Sequence, residues 1–138
     1  MIPTQQTVMH DPANGVHGNC LSAVLASLLH IPIEKIPVFH DEERWIKDLN
    51  AWLRQYGLAY VLVSNTEFLE VQGIEGVWHE VAGITNRFAD VEHACVAKDG
   101  NLVFDPSIFN TGLHEIRSYG FFMLLEPWKG VQCREVMS

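Results

Sequence analysis

Residues 19–30 carry the feature that narrows the fold most. Apolar Cys20, Leu21, Val24, Leu25, Leu28 and Leu29 recur at helical spacing, and the other side holds only the small residues Ser22, Ala23, Ala26 and Ser27. Small side chains let a second layer approach, so the pattern predicts a helix over 19–30 that is central rather than superficial. Gly18 and Asn19 mark its start, and Pro32 stops it.

A central helix needs layers around it. The remaining pattern supplies a second helix and then strands. Residues 1–18, with Pro3, Pro12, Gly15 and Gly18, read as extended segments and turns, and residues 31–38 as a short helical turn between two prolines. Asp41 is positioned to cap a second, amphipathic helix through Trp45, Leu49, Trp52, Leu53 and Tyr56 that ends at Gly57. Extended runs follow at 58–63, 76–85, 92–97, 102–105 and 119–125, ahead of a loosely ordered tail from Glu126. Asp99-Gly100 between two apolar runs is a hairpin signal. Helices first and antiparallel strands afterwards predict an α+β fold. The 138 residues, 48% hydrophobic and 19% charged, fit one domain spanning 1–138.

Composition removes several classes of partner. Seventeen acidic against nine basic residues give a net charge of -8, and the basic residues are scattered singly, so no nucleic-acid interface is expected. No stretch is apolar for long enough to cross a bilayer, and the first thirty residues lack a signal-peptide pattern; a cytoplasmic location is expected. Three cysteines at irregular spacing make no disulfide framework, which leaves Cys20 free to react.

Cys20 falls in the first turn of the first helix, where unpaired N–H groups and the helix dipole favour a thiolate over a thiol. Acyl transfer also needs a base and a group that orients it. His93 and Asp105 fit those roles, because pairing of 92–97 with 102–105 through the Asp-Gly turn brings them to the same end of a hairpin. An upstream amide can stabilise the oxyanion beside the Cys20 N–H. Gln6 is favoured for this, with Gln5, Asn14 and Asn19 as rivals.

Gly18-Asn19-Cys20 with the following 21–29 run, residues 33–37 (Ile-Glu-Lys-Ile-Pro), His93-Ala94-Cys95-Val96, Val103-Phe104-Asp105-Pro106 and Gln6-Thr7 together resemble small papain-like cysteine-peptidase-fold proteins of bacteriophages and bacteria. The likeness runs from about residue 6 to 122. It implies a papain-like fold with N-terminal helices packed on an antiparallel sheet, Cys20 as nucleophile, His93 as base, Asp105 as orienter and Gln6 as oxyanion donor. It also implies hydrolysis or acyl transfer at a peptide, isopeptide or side-chain amide bond of a protein or peptide substrate, with no cofactor. Cys95 departs from the pattern, standing where a plain aliphatic residue is expected.

Two rival readings use the same residues. A zinc site could draw on His17, Cys20, His93 and Cys95, but their spacing resembles no paired knuckle, and no metal is expected. A catalytically inactive papain-like module could bind a partner protein through Trp45, Trp52, Trp78 and Trp128, although helical spacing assigns Trp45 and Trp52 to the core. His17, His79 and His114 are alternative bases. The substrate pocket is expected from loops 64–76 and 106–118.

Overall fold

The computed structural model describes residues 1–64, 75–88 and 91–131. Helix α1 is Cys20–Leu29, and the whole of Ser22 to Ser27 is buried, so the small-residue side is covered as the sequence requires. It ends on His30, which takes a left-handed conformation (φ 58°). A 3-10 turn at Ile33–Lys35 follows. Helix α2, Trp45–Leu53, is prolonged by a 3-10 turn at Arg54–Tyr56 and terminated by Gly57 at φ 70°. Asp41 does accept backbone N–H bonds, from Glu43 (3.0 Å) and Arg44 (3.2 Å), but these close a turn before the helix.

Five antiparallel strands form one sheet: β1 Leu58–Val63, β2 Trp78–Ile84, β3 Glu92–Lys98, β4 Asn101–Phe104 and β5 Glu115–Leu124, in the order β1-β5-β2-β3-β4. The fold is therefore α+β. Asp99 (φ 51°) and Gly100 (φ 83°) make the β3–β4 turn, both with the positive φ that a two-residue hairpin turn of matching twist demands. Strand β5 begins at Glu115, earlier than the apolar pattern at 119–125 predicts. Its first residues, Glu115-Ile116-Arg117-Ser118, are mostly polar, yet they pair with β2 because β5 lies between β1 and β2. At that junction the register shifts between Ala82 and Gly83. A Cβ on Gly83 would lie 1.9 Å from the Glu115 carbonyl oxygen, so β5 approaches closely only because position 83 has no side chain.

Alternation divides the sheet into two apolar faces. One packs Ala94 and Val96 under Val24 of α1, and Tyr60 under Leu25, Ala26, Leu49 and Leu53. The other gathers Val81, Cys95, Ala97 and Tyr119 with Leu113, Ile116 and Phe121. Trp45 and Trp52 pack against the helical core as expected, whereas Trp78 and Trp128 are exposed. Between the helices and the sheet, the Tyr60 hydroxyl donates to the buried Glu80 carboxylate across Gly120. A Cβ on Gly120 would sit 2.4 Å from the Tyr60 ring and 2.6 Å from a Glu80 oxygen.

The tail begins with a helical turn at 127–131 rather than loose chain. Of the expected loops, 64–76 lies almost wholly outside the described residues. The 106–118 loop is shortened by the early start of β5. Among the described residues no helix is long and apolar enough to cross a membrane.

Candidate active site

Cys20 is the first residue of α1, and Asn19 holds that helix start in place. Asn19 does not cap the helix with its side chain. Its Oδ1 accepts from the Val8 N–H (3.0 Å), its Nδ2 donates to Thr7 Oγ1 (2.8 Å), and its own N–H donates to the Val8 carbonyl (3.1 Å). Residues 7 and 8 are thereby fastened alongside Cys20. Gly18 makes a further close contact there: a Cβ on it would lie 2.8 Å from the backbone nitrogen of His10.

The β3–β4 hairpin brings the other two groups. His93 Nε2 and Asp105 Oδ1 are 2.6 Å apart, and His93 lines the same cleft as Cys20, two residues before the buried Cys95. Asp105 is buried and held from two further directions, its Oδ1 accepting from the Ser107 N–H and its Oδ2 from the Gly112 N–H, each at 2.9 Å. Burial works against both charges. The Asp105 hydrogen bond, followed by the influence of the neighbouring Cys20 and Cys95 thiols, outweighs burial at His93 and holds its imidazolium well above the ordinary histidine range. At Asp105 burial is likewise overcome by the bonds from His93, Ser107 and Gly112, which hold the carboxyl below its usual range. For Cys95 burial prevails and pushes the thiol up.

Cys20, His93 and Gln6 line one small open cleft of about 80 Å³, room for a side-chain-sized group. Gln6 is largely buried. Its Nε2 donates to the Val8 carbonyl (3.2 Å), which occupies one of its two N–H groups, and its Oε1 has no hydrogen-bond partner. Asn19 is spent on positioning, and Asn14 is exposed and bonded to Asp11, so neither rivals Gln6 inside the cleft.

The alternative bases separate by place. His79 is fully buried toward the far end of β3, with Nδ1 donating to the Glu80 carbonyl (2.8 Å) and Nε2 accepting from the Gly100 N–H (3.0 Å), a neutral ring locked by backbone. His114 is exposed. His17 does line the cleft, within a row of rings that the sequence did not single out: it lies 5.7 Å from both His10 and His40. Its pKa is lowered by burial first and then by those two neighbours. The rival zinc grouping of His17, Cys20, His93 and Cys95 is not formed as drawn, since His17 joins this row instead of the two thiols.

Sequence reasoning also missed the Ser107 and Gly112 N–H groups that grip Asp105. The Ser two residues after Asp105 is the sequence signal for an Asx-type turn, whereas Gly112 arrives by loop closure that no local pattern shows. Neither a family model, nor a curated protein, nor a solved structure matches the chain.

Proposed function

We propose that the chain is a thiol-dependent hydrolase or acyl transferase of papain-like type, acting on a peptide, isopeptide or side-chain amide bond. The observation that carries this reading is the placement of His93, bonded to Asp105 at 2.6 Å and lining one cleft with Cys20 at the helix start. A histidine merely filling space has no reason to meet a buried carboxylate and a cleft thiol together.

The steps follow from the geometry. Cys20 Sγ attacks the carbonyl carbon, and the oxyanion is met by the Cys20 backbone N–H and the remaining N–H of Gln6. The His93 imidazolium gives its proton to the leaving nitrogen as the C–N bond breaks, leaving a thioester. Water then attacks, His93 takes its proton, and the S–C bond breaks to release the acid; an acceptor amine in place of water gives transfer. Asp105 holds the ring and its charge throughout.

The test is labelling by electrophilic probes built on peptide, ubiquitin-like and glutamine-type scaffolds. Labelling of the wild type, absent in Cys20→Ala and at least about tenfold slower in His93→Ala at pH 6, supports the reading. A Cys20 that reacts at pH 6 no faster than a free thiol overturns it.

A further inference from the structure

Cys95 has no part in these steps, yet it is where the site is most unusual. It is fully buried, it is a free thiol, and it stands two residues from His93 on the same strand, within reach of its ring. The donor atoms of His93, Cys95 and Asp105 all lie within 4.8 Å of one another, which makes them a possible metal-holding group among the described residues. Cys20 lies outside this group of three but lines the same cleft as His93, so its sulfur is the one that can swing in from the cleft side. Two thiols, an imidazole and a carboxylate are the donor types that zinc selects, and calcium and magnesium do not.

We propose that this cluster is a zinc-type site in which His93, Cys95 and Asp105 hold a soft divalent cation, Cys20 closes the cleft-facing fourth position, and the bound ion silences the thiol. Silencing rests on the hydrolase reading; binding itself does not. Ligand atoms around a tetrahedral zinc stand about 3 to 4 Å apart, so the widest separation must close by roughly 1 Å while the 2.6 Å His93–Asp105 contact opens to admit the ion, changes within the reach of side-chain torsions. Each thiol releases its proton to solvent as its sulfur binds, the imidazolium releases one from its ligating nitrogen, and no electron is transferred. While zinc holds Cys20, its lone pair is not available to a carbonyl.

Cobalt(II) is the probe, because a thiolate bound to it gives a charge-transfer absorption that grows with the number of sulfurs. The full chain carrying Cys133→Ser restricts that count to Cys20 and Cys95. One equivalent of cobalt should give a two-thiolate spectrum that zinc displaces. In Cys20→Ala, which has no nucleophile, about half the absorption should remain. In Cys95→Ser affinity should fall at least tenfold, and micromolar zinc that blocks iodoacetamide at Cys20 of the parent should no longer do so. No charge-transfer band in the parent, or an unaltered one in Cys95→Ser, overturns the site. Should Cys95→Ser fail to fold, the Cys20→Ala spectrum decides alone, since loss of all absorption there excludes Cys95 as a ligand. Rapid metal-free alkylation without a cobalt band would discard the metal and keep the triad; a cobalt band with slow metal-free alkylation would do the reverse.

Discussion

The Gln6 backbone N–H donates to the Pro106 carbonyl at 2.9 Å, tying the segment that leads into the nucleophile to the residue after Asp105. The two halves of the candidate site, one from residues 6–20 and one from the β3–β4 hairpin, are thus joined by main chain as well as by side chains.

Asn19 fixes the first half. Replacing it by Ala leaves the Val8 N–H without its acceptor and should cost about 1–3 kcal/mol, read from urea unfolding. Turnover of any identified substrate should fall further than the rate of Cys20 alkylation, because the loss displaces the Gln6 segment and leaves His93 in place. Equal losses in both would place the effect on the helix start instead.

Asp105→Asn keeps the shape of the second half and removes its charge. Activity should fall by about 10²–10⁴, the range that general acid–base catalysis supplies. The pH dependence of stability should change as well. A depressed Asp105 stabilises above its unfolded pKa and loses that contribution as pH falls through the folded value. A raised His93 stabilises below its unfolded pKa and loses it as pH rises through the folded value. Both contributions are complete between about pH 4 and 6.5, and the variant should show its largest deficit in that window.

Glu80 has the opposite sign. Burial pushes its carboxyl up to about 7, Glu92 adds to the rise and the Tyr60 hydroxyl opposes it. The folded state therefore binds a proton that the unfolded state releases, and stability should decline from about pH 4.5 to 7 by roughly 3 kcal/mol. Glu80→Gln keeps a partner for Tyr60 and should flatten that decline in thermal melts taken across the range. An unchanged slope would assign the titration elsewhere.

Gly83 stands opposite His93 in the β2–β3 register while β5 presses on its other side. The obstacle to a side chain is backbone, which has no rotamer to yield, so Gly83→Ala should destabilise by about 2 kcal/mol or more. Gly120→Ala meets the Tyr60 and Glu80 side chains instead, and the smaller loss expected there is measured by the same denaturation curves.

Much of this arrangement was legible in residue order. The run behind Gly18-Asn19 gave the central helix and the place of Cys20, and Asp99-Gly100 gave the hairpin that joins His93 to Asp105, since both signals are local. The start of β5 was hidden because Glu115 and Arg117 point outward from a strand held by two neighbours, so its polarity imitates a loop. Asn19 read only as a helix-start signal because its partners, Thr7 and Val8, are distant in sequence and only the fold brings them near. The Tyr60–Glu80 pair was invisible for the same reason, as it depends on an absent side chain at Gly120 in a third strand.

The base follows the nucleophile by 73 residues, whereas base and orienter are separated by only 12. During synthesis at about 5–20 residues per second, the cysteine emerges roughly 4 to 15 s ahead of the histidine that shares its cleft. On the proposed reading, a nascent chain is thereby kept chemically quiet until the hairpin is made, its reactivity delayed by gene order alone.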